Sequence, residues 1–184
     1  MAVLSSTALT GITTRMADAS MSAGSILQVV STIKTDTSSQ SLGTGSWWSF
    51  DDSSLKVTLT PSSASNKILI LGQVMVSQPE QNWIQTKIQK GGSDIAAATG
   101  DAASSRERVH QQSDYPAVGT GAYSILSFHY LADADDTNSR SYNYAFKHTS
   151  GSTRTIYINR TGSDTDNAYY GRGVSTITAM EVAV

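Results

Sequence analysis

The chain has 184 residues, enough for one domain with a proper core and a short appendage. Charged residues make up 15% and the formal net charge is −2, which argues against nucleic-acid binding through a broad basic surface. Cysteine is absent, which excludes disulfides and thiolate metal sites and leaves oligomerisation as the simplest extra source of stability for a β-domain.

Residues 1–24 hold Ala, Ser, Thr and Met with isolated Leu4, Leu9 and Ile12. So little apolar surface cannot pack alone, and the segment is read as a docking arm that orders against another chain. Arg15 follows the first apolar positions and no continuous hydrophobic centre exists, so the segment is not expected to be a signal peptide. No run approaches the ~20 apolar residues of a membrane-spanning helix. The expected division is an arm over 1–24 and a head over 25–184.

The head reads as strands. Ile26 to Ile33 is the first and Ser46 to Phe50 the second, after a Gly43-Thr44-Gly45 turn. Leu55, Val57 and Leu59 alternate with Lys56, Thr58 and Thr60, the period of a strand with one dry face. Pro61 ends it, and Ser62, Ser63, Ser65 and Asn66 supply turn chemistry. Lys67 to Ser77 is almost continuously aliphatic to Val76, as in a strand buried on both faces or near a sheet centre. Asn82 to Gln89 alternates again, and Asp94 to Ala97 is a short extended piece. Residues 99–121 form the longest irregular region. Ala122 to Leu131, Ser141 to Lys147, Thr155 to Asn159 and Val174 to Val184 complete the series. About nine short strands with regular turn signals predict an all-β sandwich or jelly roll, with the last strand central.

Five segments in order carry a family resemblance: Gly24 to Thr37, Leu59 to Ser77, Gly100 to Val109, Tyr157 to Asn167 and Ser175 to Ala183. Together they resemble small domains of tailed-phage virion proteins, of the marine and cyanobacterial kind. The resemblance implies a jelly-roll head like those of complement and tumour-necrosis-factor proteins. It also implies a homotrimer at the virion surface and no catalytic motif. With only a short arm before the head, it points to a protein that decorates or stabilises the capsid, or forms a short fibre. The arm would meet the major capsid protein or another phage structural protein. The alternative is the receptor-binding tip of a tail fibre recognising host surface glycan.

The residues themselves point to no enzyme and no cofactor. His110, His129 and His148 share no metal-ligand spacing and are read as ordinary core or surface histidines. The acidic loops Asp133 to Asn138 and Ser163 to Asn167 lack the EF-hand pattern and are read as turn formers, with calcium as the other reading. Arg106, Glu107 and Arg108 are read as solvated or paired with a neighbouring chain, with an anion clamp as the other reading. The aromatics carry the binding signal: Trp47, Trp48, Trp83, Tyr115, Tyr169 and Tyr170 are candidate interface or ligand residues. Trp47 and Trp48 must face opposite sides of one strand. Tyr142, Tyr144 and Phe146 alternate and are assigned to the core or a trimer axis.

Overall fold

A computed structural model describes residues 21–78, 82–113 and 121–184. The arm residues Leu4, Leu9 and Ile12, and the candidate Tyr115, lie outside the described residues. Every sheet pairing in the described chain is antiparallel.

In the first sheet, β1 (Ile26–Lys34) pairs with β12 (Ser175–Val182), β12 with β5 (Lys67–Ser77), and β5 with β9 (Ser124–Asp133). β2 (Ser38–Leu42) pairs with β11 (Arg154–Ile158), which meets the end of β5. In the second sheet, β10 (Arg140–His148) is flanked on one side by β3 (Trp48–Phe50) and β4 (Val57–Leu59). On its other side lies β6 (Ile84–Lys90), which pairs with β7 (Ser93–Asp94) and β8 (Gln111–Gln112).

The twelve strands exceed the nine expected because several rungs are broken. β1 and β2 share an edge with β12 and β11, β3 and β4 share one edge of β10, and β7 and β8 share one edge of β6. Taken as rungs, the first, last, third and sixth form one sheet, and the second, seventh, fourth and fifth form the other. That winding is a jelly-roll β-sandwich. The last rung is central, between β1 and β5, as the sequence pattern predicted.

Three local expectations are corrected. The second strand begins at Trp48 rather than Ser46, and Ser38–Leu42 is an additional strand. The second half of the extended piece expected from Asp94 to Ala97 is a 3-10 turn over Ala96–Ala98, while Asp94 ends β7. Gly43 holds the chain in a turn by accepting from the Ser46 N–H at 3.1 Å, which delays the strand.

The core lies between the sheets. Ile68, Ile70, Val74 and Val76 of β5 face Tyr142, Tyr144 and Phe146 of β10, all fully buried. Phe128 of the first sheet stacks on Tyr144 of the second with centroids 4.0 Å apart. Phe50 and Phe146 continue the aromatic contact edge to face at 6.4 Å. Gly72 permits this approach: a Cβ there would sit 2.2 Å from the Tyr144 hydroxyl and 2.3 Å from the Thr176 carbonyl.

Where β1 approaches β4, polar side chains join the two sheets. Gln28 Nε2 donates to the Thr60 carbonyl (2.8 Å), and Thr32 Oγ1 to that of Lys56 (3.0 Å). The buried Lys34 ammonium donates to Asp36 (2.8 Å) and to Ser54 Oγ (3.0 Å). A second buried ion, Glu181, accepts from Gln28 Nε2 (2.5 Å), from the Ser62 N–H and hydroxyl (both 2.6 Å), and from Asn66 Nδ2 (2.8 Å).

The last rung is cut by residues 159–174. Asn159 adopts φ 61°, a left-handed conformation that asparagine tolerates better than most residues. Its N–H donates to the Met75 carbonyl (3.0 Å), so pairing with β5 persists to the break. Its Nδ2 donates to the Lys34 and Asp36 carbonyls (2.8 and 3.0 Å), and its Oδ1 accepts from Ser175 Oγ (2.6 Å). One buried amide therefore ties β1, β11 and β12 together where two rungs are interrupted.

Candidate functional site

The aromatic candidates separate by strand parity. On β3, Trp48 points inward against Phe50 (4.8 Å between centroids) and Phe146 (6.0 Å). Trp47, on the opposite side, carries the Lys87 ammonium 4.3 Å and the Lys147 ammonium 5.6 Å from its ring centre. Trp83 precedes β6 and is 40% exposed. Tyr169 is 88% exposed in the excursion between β11 and β12, and Tyr170 beside it is half-buried near Gly121. Trp47 thus sits apart from Tyr169, and the candidates do not converge on one site. Tyr142, Tyr144 and Phe146 lie inside the sandwich, which removes them from any three-fold axis.

The outer face of the second sheet is charged. Register places Ala145 of β10 opposite Lys87 of β6, and Lys147 opposite Gln85, so both ammoniums rise on one side. The loop after the Ala96–Ala98 turn folds across them. Glu107 accepts from Lys147 at 2.9 Å and from Lys87 at 3.1 Å, and Lys87 also reaches Asp94 at 3.0 Å. Glu107 is therefore paired within its own chain, which corrects the expectation of a neighbouring partner. The Lys147 hydrogen bond holds the Glu107 carboxyl below its ordinary value. Burial alone would depress the Lys87 ammonium, but its bonds to Asp94 and Glu107 outweigh that and hold it above its usual range. Beside these ions on the same face, Gln89 accepts from Ser49 (2.5 Å) and Asn143 (3.1 Å) and donates to Asp94 (2.9 Å). A cavity of about 420 Å³ opens between Lys87, Asp94 and residues Ser104 to Arg108. A second, of about 300 Å³, continues past Glu107 toward Lys147 and Thr44.

The outer face of the first sheet carries one apolar row among polar ones such as Ser31, Thr178 and His129. Register aligns Val29, Met180, Leu69 and Leu131 in one row across four strands. Ile33 lies four residues beyond Val29 on β1, and Ile125 lies six residues before Leu131 on β9. Val29, Ile33, Ile125 and Leu131 are each about half exposed or more. An exposed apolar row across four strands is a candidate interaction surface.

The acidic loops are engaged by cations. Asp133 pairs with Lys67, Asp135 with Lys90, and Asp136 with Arg140. Asp164 bridges Arg160 (3.2 Å) and Arg172 (2.8 Å). Among the described residues no group of three or more His, Cys, Asp or Glu side chains is placed to hold a metal. His148 donates from Nε2 to the Leu42 carbonyl (2.9 Å) while its Nδ1 accepts from the Ser150 N–H (3.2 Å). His110 stacks on Phe128 at 5.5 Å, and burial pushes its pKa down. His129 is exposed on the outer face of the first sheet.

No protein-family model and no curated protein matches the sequence. Among solved structures the chain is similar to one described as "Structure of infectious bursal disease virus Gx strain", at 14% identity and a TM-score of 0.42. The match covers 85% of this chain and 37% of that one, so the chain spans little more than a third of its length.

Proposed function

We propose that this protein is a non-enzymatic virion structural component whose heads associate as a homotrimer. The reading is that the arm docks it to the capsid, where it decorates or stabilises the particle or forms a short fibre. The observation that carries the self-association is the apolar row Val29, Met180, Leu69 and Leu131, which no part of the described chain covers. Burial of apolar area at about 25 cal/mol per Å² favours covering such a face with a second copy. The ion-paired acidic loops support structural roles for those carboxylates.

Light scattering on the purified chain tests the assembly, with a trimer mass expected and a monomer at micromolar concentration refuting it. Quantitative mass spectrometry of purified virions tests the placement. A copy number near a simple fraction of the major capsid protein supports decoration. A few copies per particle would overturn it in favour of a tail-fibre tip.

A further inference from the structure

The outer face of the second sheet holds a positive surplus that the described residues do not neutralise. Four cations line two neighbouring cavities that share Ser105 and Glu107: Lys87, Arg106 and Arg108 the larger, and Lys147 the smaller. Glu107 is shared by the two lysines, and Asp94 is taken by Lys87 and Gln89. Arg108 donates only to backbone carbonyls, those of Gly100 (2.7 Å) and Ala96 (3.3 Å). The exposed Arg106 side chain has no hydrogen bond or ion pair among the described residues, and its backbone N–H closes a turn onto the Ala103 carbonyl (3.1 Å). Among the described residues, neither guanidinium at this cavity has an ion-pair partner, in a chain whose net charge is −2. A local surplus opposite in sign to the whole chain favours an anionic ligand.

The remaining lining narrows the ligand. Thr99, Ser104 and Ser105 present hydroxyls to the larger cavity, and Thr44, Thr149 and Ser150 line the smaller. The two volumes, about 420 and 300 Å³, fall in the range of small-molecule pockets and exceed what a bare inorganic anion fills. Hydroxyl-rich walls with few apolar side chains suit a polyhydroxylated molecule. The floor is already organised: Trp47 packs on both ammoniums, and Glu107 ties the lysines together.

We infer that this groove binds an acidic saccharide, its carboxylate clamped by Arg106 and Arg108 and its hydroxyls met by Thr99, Ser104 and Glu107. Guanidinium forks match carboxylates with paired hydrogen bonds, which a lysine cannot reproduce. The inference does not rest on the proposed trimer.

Calorimetric titration of the full chain with trigalacturonate, maltotriose and inorganic phosphate tests it. Trigalacturonate is expected to bind with a Kd of about 1 mM or tighter, and phosphate at least about tenfold more weakly. The neutral maltotriose is expected to give no heat. Arg106→Ala removes an exposed, unpartnered side chain, so its thermal midpoint should match the parent while trigalacturonate affinity falls about tenfold or more. Phosphate binding as tight as trigalacturonate would reduce the groove to a simple anion site and overturn the saccharide. Maltotriose binding as tight as trigalacturonate would overturn the carboxylate clamp. No trigalacturonate binding, or an unchanged affinity in Arg106→Ala, would overturn the site itself.

Discussion

Glu181 offers the sharpest test of how the sandwich is held closed. Its carboxylate is fully buried and accepts four hydrogen bonds, three of them from the Ser62–Asn66 turn. Burial alone would raise its pKa, but the bonds from Ser62, Asn66 and Gln28 outweigh burial and hold it below the ordinary glutamate value. Hydrogen bonds to a charged group contribute about 1.5–3 kcal/mol each, less when they share one acceptor. Glu181→Ala leaves the buried Asn66 amide and the Ser62 N–H without that acceptor; Ser62 is exposed, so water recovers part of the loss. The expected cost is about 3 kcal/mol, a large share of the ~5–15 kcal/mol that holds a domain together. Glu181→Gln keeps the shape, loses the charge and turns an amide toward the donors, for about 2 kcal/mol.

The pH dependence follows from the sign of the shift. A carboxyl whose folded pKa is depressed contributes stability that is fully present above its unfolded value, near 4.5, and is lost as pH falls through the folded value. Urea unfolding followed by tryptophan fluorescence should therefore separate the parent from Glu181→Gln at pH 7, with the gap narrowing as pH drops below about 4.5. A Glu181→Ala cost below about 1 kcal/mol at pH 7, or a Glu181→Gln gap that does not change with pH, would refute the reasoning.

Other substitutions probe the remaining contacts. Gly72→Ala should cost about 2–4 kcal/mol in urea unfolding, and adding Tyr144→Phe should recover only part of it, because the Thr176 carbonyl still blocks the new methyl. Asn159→Asp should cost about 3 kcal/mol, since it replaces two donated bonds by repulsion against the Lys34 and Asp36 carbonyls; equal melting temperatures for the two proteins would refute the knot. Leu131→Arg, on a half-exposed side chain of the apolar row, should leave the unfolding midpoint of the monomer nearly unchanged while light scattering drops to monomer mass.

Legibility in the sequence tracked how much of each strand's role was local. The Val57–Leu59 alternation and the Tyr142, Tyr144, Phe146 triplet each showed a face by period alone, and the continuous aliphatic run marked β5 as a central strand. Ser38–Leu42 was missed because SSQSL has no apolar alternation; it is a strand through pairing with β11, and only Leu42 is buried. The excursion inside the last rung was invisible because collinearity of β11 and β12 exists only in their shared register with β5. Glu181 left one usable signal, a carboxylate at the inward parity set by Ile177 and Ala179, where a partner is obligatory. Trp47 and the Arg106–Arg108 run were both singled out, but the lysines joining them come from β6 and β10. Cross-strand register, not spacing, brings those lysines together.

Strand parity also separates the two surfaces on which the functional proposals rest. Along β5 and β9, even positions such as Ile70 and Phe128 fill the core and odd ones such as Leu69 and Leu131 face outward, while across the sandwich Lys87 and Lys147 face the opposite solvent. Sheets in a sandwich stand ~10 Å apart, and no side chain reaches from one outer face to the other. In the proposed trimer the apolar face is covered and the charged groove remains open. Each protomer then presents its own site, complete without its neighbours. Weak saccharide contacts need many copies to be useful, and a trimer displayed repeatedly on a particle supplies them without any further contact per site. Arg106 and Arg108, with no ion-pair partner among the described residues, stand together on one loop of the charged face. In the proposed assembly that loop lies on the open side.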